Sequence, residues 1–128
     1  MNTGPSMFER LGGELVLRAA VSDFVDNMID DDMIGFLFGD VSPARLKQLE
    51  YEYAAEYLGG PVRYRGRALG KVHAKHEISG GQFARRSALL RNVLERHRIP
   101  EDICDAWLAH TESLRSTVIN DSGEERKV

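Results

Sequence analysis

The sequence predicts an all-α domain. Four segments repeat apolar residues at three- and four-residue spacing, no segment alternates convincingly as a strand, and helix start or stop signals flank the segments. The first segment runs from about Glu14 to Asp30. Leu17, Ala20, Val21, Phe24, Val25 and Met28 form its stripe, and the acidic run 30–32 ends it. MIGFLFGD (33–40) follows as a short apolar connection. The second helix opens at Ser42–Pro43, a capping hydroxyl followed by a proline whose missing N–H costs nothing in the first turn. Its inward stripe reads Leu46, Leu49, Glu50, Tyr53 and Tyr57, and GGP (59–61) stops it. Glu50 is the odd member, a carboxylate on an otherwise apolar or aromatic face. The third helix opens at Ser79 or Gly80, with Phe83, Leu90, Val93, Leu94 and His97 on one side. Pro100 is expected in the first turn of the fourth, whose stripe is Ile103, Trp107, His110 or Thr111, Leu114 and Val118.

At 128 residues the chain reads as one domain over 1–128, with 1–6 and 121–128 as flexible tails. A net charge of −3 gives no bulk attraction to nucleic acid or to anionic lipid. Basic residues cluster locally in RYRGR (63–67), but acids elsewhere offset them. The expectation is therefore no nucleic-acid partner and no membrane partner. Cys104 is the single cysteine, which rules out an intramolecular disulfide and is read as a small packed hydrophobe. The longest purely apolar stretches are a few residues, and MNTGPSMFER lacks a basic region followed by an apolar one. A cytoplasmic location is the expectation.

The interval between Gly59 and Gly80 is long and irregular for a bundle loop, and such loops are often functional. It contains KVHAKHEIS (71–79), with two histidines three residues apart. A two-histidine zinc site needs further ligands, and no spacing recommends Glu77, Glu50, His97 or His110. A single histidine suits haem iron instead, because the porphyrin supplies four nitrogens and one axial imidazole suffices. The protein must then add a flat apolar cleft, an aromatic wedge and basic groups near the propionates. Phe38, Leu46, Leu49, Tyr53, Ile78 and Phe83 are candidates for the cleft.

In this arrangement the chain resembles the truncated haemoglobins, the two-over-two globins, and most of all their first group. The resemblance spans roughly Phe8 to Val118. It runs through FERLGG (8–13), VSDFV (21–25), FLFGDVSPARL (36–46), YLGGPVRYRGR (57–67), VHAKHEIS (72–79), Phe83 and IPED (99–102). It implies a truncated two-over-two globin fold and a b-type haem whose iron is ligated by His73. Phe38 would wedge the porphyrin, and Phe24, Leu46, Tyr53, Ile78 and Phe83 would occupy pocket or neighbouring core positions. His76 matches a position that is not a ligand. Arg45, Lys47 and Arg67 are candidates to neutralise propionates.

The distal side departs from the family. The residue after Phe24 is commonly a tyrosine whose hydroxyl donates to bound dioxygen; here it is Val25, without a donor. Glu50 falls where a glutamine is common. Buried beside haem, its carboxyl would be driven toward protonation and could donate. Alternatively it pairs with a base such as Arg45 or Arg86, or swings outward, leaving an apolar pocket. With Val25 and Leu46 in place, weak ligand stabilisation and fast oxygen loss or autoxidation are expected. The implied partner is a diatomic gas (oxygen, carbon monoxide or nitric oxide), with a reductase as a candidate and a monomer or weak dimer as the assembly. Two rivals stand beside this reading. One is a haem-dependent enzyme, a nitric oxide dioxygenase or a peroxidase-like catalyst using Glu50. The other is a haem-free globin-fold interaction or sensory module. Trp107 is read as core, and His97 and His110 as surface or helix-end residues.

Overall fold

A computed structural model describes residues 4–66 and 78–115. Every regular element among them is helical: α1 (Met7–Leu11), α2 (Gly13–Asp30), a 3-10 turn (Gly35–Phe38), α3 (Pro43–Tyr57), α4 (Gly80–Arg96) and α5 (Glu101–Ser113). The short α1 is an addition to the four segments seen by periodicity. Its start is a capping box, in which Ser6 Oγ accepts from the Glu9 amide and Glu9 Oε1 accepts from the Ser6 amide, both at 3.1 Å. Gly12 and Gly13 turn the chain into α2 at φ +123° and +79°, a left-handed stretch that side chains resist.

α3 begins where Ser42–Pro43 predicts, with Ser42 Oγ accepting from the Arg45 amide at 3.1 Å. α4 starts on a second capping box, Ser79 with Gln82. Pro100 caps α5 from outside the helix at ψ 140°, one position before its expected place. The fourth predicted helix is described as far as Ser113, and Val118 lies outside the described residues.

α2 is the central strut. It packs against α3 on one side and α4 on the other, and α4 packs in turn against α5. Leu17, Val25, Met28, Leu58, Leu90, Val93, Leu94 and Ile103 are its fully enclosed neighbours and members. Phe8 of α1 reaches the same core, and its ring explains one glycine of GGP: a Cβ on Gly60 would stand 2.7 Å from Phe8 Cδ1.

The expected inward stripe of α3 needs correction. Its buried positions are Leu46, Tyr51, Glu52, Ala54 and Ala55, whereas Leu49, Glu50, Tyr53 and Tyr57 are half-buried. The helix thus has two apolar faces. The one carrying Leu46, Tyr51, Ala54 and Ala55 closes on the core, and the one carrying Leu49, Tyr53 and Tyr57 stays partly open. The expected stripe holds at Leu46, but a three- and four-residue spacing fits either face beyond it, and Tyr51, Ala54 and Ala55 are the residues the core takes.

Candidate functional site

The residues singled out from the sequence gather around α2, the 3-10 turn, α3 and the start of α4. Phe24 and Val25 lie mid-α2 and are buried. Phe38 ends the 3-10 turn, half-buried against the main core. Ile78 and Phe83 form a small buried cluster separate from that core, with Leu37 packed against both. Arg45 is exposed, and the Lys47 ammonium is engaged by Asp26 of α2 at 3.0 Å. His73, His76 and Arg67 lie outside the described residues.

Of the arrangements open to Glu50, the structure holds the ion pair, and the partner is Arg86 across on α4. Arg86 Nη2 donates to the two carboxylate oxygens at 3.0 and 3.3 Å. Its guanidinium carbon also lies 4.9 Å from the centroid of the Phe24 ring, a cation–π distance. The pair therefore ties α3 and α4 together directly over an aromatic residue of α2.

Sequence reasoning missed Glu52, the most deeply placed charge near the site. Its side chain is 3% exposed. Glu52 Oε1 accepts from the Arg65 amide at 3.0 Å, and Oε2 accepts from the Arg65 guanidinium at 2.8 Å and from Gln48 Nε2 at 2.7 Å. One turn along α3, Glu56 Oε1 accepts from the Tyr64 amide at 2.8 Å. These two carboxylates pin the extended approach to residues 67–77 onto α3. The polar row Gln48, Glu52, Glu56 at four-residue spacing is visible in sequence, but its partner across the loop is not.

The Arg65 and Gln48 hydrogen bonds hold the Glu52 carboxyl at about 2, against an ordinary 4.5. A depressed carboxylate stabilises the fold fully above its unfolded value and loses that contribution as pH falls from about 4.5 toward about 2. Because Arg65 itself is 77% exposed, solvent screens the pair. Glu52→Gln is expected to cost about 1–3 kcal/mol in urea unfolding at neutral pH. Its gap from the parent protein should narrow in acid. A gap that stays constant from neutral pH to about pH 3 would remove the carboxylate from this role.

His110 lies in the last turn of α5, a helix-end position as expected, and is half-buried there. Its ring stacks on Tyr57 at 4.0 Å between centroids, and its Nε2 lies 3.4 Å from the Tyr53 hydroxyl. Burial pushes its pKa below the ordinary imidazole range. His97 caps the end of α4 as expected and meets Asp23 at 3.0 Å. Trp107 and Cys104 are core residues, with Cys104 Sγ 3.4 Å from the Ile99 carbonyl oxygen.

The family model for bacterial-like globins matches residues 6–121. The chain belongs to the bacterial-like globin family. Among its relatives by sequence, this globin is 28% identical over 102 residues to the group 1 truncated haemoglobin GlbN of Synechocystis sp., covering 77% of this chain and 82% of the relative. It is 27% identical over 123 residues to the group 1 truncated haemoglobin GlbN of Mycolicibacterium paratuberculosis, covering 96% and 89%. Among solved structures, the truncated haemoglobin of Tetrahymena pyriformis in its Fe(III) form superposes with a TM-score of 0.84 at 20% identity, over 91% of this chain and 99% of that one. The group II truncated haemoglobin of Bacillus anthracis gives 0.83 at 18% identity, over 93% and 94%. The fold is the truncated two-over-two globin, and its kinship is with group I.

Haem iron is the cofactor that membership of this family implies. The described residues of the globin fit such a group. Leu49 and Tyr53 on the open face of α3 and the separate Ile78–Phe83 cluster are apolar or aromatic surfaces that the main core does not absorb, and Phe38 on the 3-10 turn packs at that core's edge, half-buried. Arg115, 5.2 Å from the Phe83 ring centroid, places a cation beside that second cluster.

Proposed function

We propose that this globin binds one b-type haem through His73 and reversibly takes up a diatomic gas, oxygen, carbon monoxide or nitric oxide, on the opposite side. The observation that carries the proposal is the division of the apolar interior into a main core and a detached Ile78–Phe83 cluster, with the half-buried face of α3 left over. A flat apolar guest is what such an interior accommodates, and haem supplies the iron whose open axial position takes the gas. The chain contributes the rest. Phe38 and Ile78 flank the guest, the Glu52 and Glu56 hydrogen bonds steady the approach to His73, and Val25 and Leu46 make the distal wall apolar.

The state of Glu50 favours ligand binding over peroxidase-like turnover. A proton shuttle needs a carboxyl oxygen free to face the ligand, and both Glu50 oxygens are instead occupied by the Arg86 guanidinium. With no hydroxyl at Val25, oxygen should leave faster than from a relative that carries tyrosine there.

Titration of the purified protein with haemin tests the function. The expected result is saturable uptake at one haem per chain, with a sharpened Soret band. A folded protein that takes up no haemin saturably would overturn the haem function and leave the haem-free globin module in its place.

A further inference from the structure

We infer that Arg86 is the polar group this globin presents to a ligand on the distal side, and that Glu50 steers and tempers its guanidinium. The inference rests on the haem reading above and assigns a specificity-determining residue that the apolar Val25 leaves wanting.

Position comes first. The Arg86 guanidinium stands over Phe24, the neighbour of Val25 in sequence, and is bonded to Glu50. Two residues expected around the distal pocket, Phe24 of α2 and Glu50 of α3, thus meet on one arginine of α4.

The donor inventory comes second. A guanidinium has five N–H donors on three nitrogens. Arg85, the preceding residue, spends two of its nitrogens, Nε and Nη2, on Asp31. Arg86 instead places Nη2 alone against both Glu50 oxygens. Among the described residues, none of its hydrogen bonds engages Nε–H or Nη1–H. The side chain is nonetheless three-quarters buried, at 25% exposure. Among the described residues no side-chain nitrogen is both fully buried and without a partner, so Nε–H and Nη1–H face accessible space from which an acceptor can reach them.

The chemistry of the acceptor follows. Unspent guanidinium donors favour the negative end of a polar diatomic ligand or a small anion, and they do little for a weakly polar one. Dioxygen and azide should feel Arg86 strongly and carbon monoxide weakly. Glu50 cancels much of the charge, so the effect should fall short of that of an unpaired arginine.

The test compares the haem-loaded parent with Arg86→Leu, Arg86→Lys and Glu50→Gln. In Arg86→Leu, oxygen dissociation and the azide dissociation constant should both rise about tenfold, with carbon monoxide affinity changed by less than about threefold. The C–O stretching frequency of the carbonyl form should rise as the positive field is lost. Arg86→Lys keeps the charge and the pairing with Glu50 but loses the planar second and third nitrogens. It guards against a leucine variant that fails to fold, and should behave like leucine toward oxygen. Glu50→Gln should slow oxygen loss, because it frees the guanidinium from its competitor. Unchanged oxygen-to-carbon-monoxide discrimination and an unchanged C–O stretch in either haem-loaded Arg86 variant would overturn the inference while leaving the haem function intact. Failure of the parent to take up haem would overturn both.

Discussion

His73→Gly should leave a folded globin that has lost its grip on haem iron. The enclosed side chains that hold the helices together, Leu17, Met28, Leu58, Leu90, Leu94 and Ile103 among them, all belong to other parts of the chain. The far-ultraviolet circular dichroism should therefore stay close to that of the parent. Haemin can still partition into the apolar space by burial alone, but without an axial nitrogen it loses its coordinate bond. If that bond contributes about 3 kcal/mol or more, the dissociation constant rises on the order of a hundredfold. Free imidazole is small enough to occupy the space vacated by the side chain, and millimolar imidazole should restore much of the Soret band. His76→Ala should titrate like the parent, which separates the two histidines of KVHAKHEIS. Equal haem affinity in His73→Gly and the parent, with no response to imidazole, would remove His73 from the iron.

Local signals carried the helices and non-local ones hid the polar architecture. Ser42–Pro43 and Ser79 are complete instructions for a helix start, because the cap hydrogen bonds close within three residues. The stripes on α2 and α4 were legible for a similar reason: each helix buries a single face, so period and burial agree. On α3 they disagree. That helix serves the core with Tyr51, Ala54 and Ala55 and keeps a second face open, and a hydrophobicity pattern cannot say which face is the core. Glu52 shows the other limit. Its charged partner, Arg65, lies thirteen residues away in an extended segment without periodicity, so nothing in the sequence distinguishes it from the exposed Glu56 one turn on. Pairing of Glu50 was legible as one alternative from the cost of an isolated buried charge, and Arg86 among several bases was not.

Val25→Tyr should slow oxygen dissociation about tenfold, and the reason it can be accommodated is also what it tests. Val25 is 0% exposed in the described structure. A tyrosine there adds an aromatic ring and a hydroxyl. Forced into a close-packed core, such an enlargement costs about 1–3 kcal/mol and brings no functional gain. Directed toward a haem-sized space, the ring is tolerated in the loaded protein and its hydroxyl supplies a donor worth about 1 kcal/mol or somewhat more to a polar ligand. Val25→Phe separates the two effects, since it has the bulk without the hydroxyl and should leave the oxygen off-rate within about threefold of the parent. The pair is read out by displacing oxygen with carbon monoxide in a stopped-flow instrument, beside urea unfolding of the haem-free forms. Both variants destabilised with unchanged oxygen release would mean that Val25 points into the α2 core. Coupling to Arg86 sharpens the argument further, because two donors competing for one ligand are not additive. In an Arg86→Leu background the tyrosine should slow oxygen loss by a larger factor than it does in the parent, as the sole remaining donor. An identical factor in both backgrounds would mean that Arg86 and position 25 address different regions of the globin.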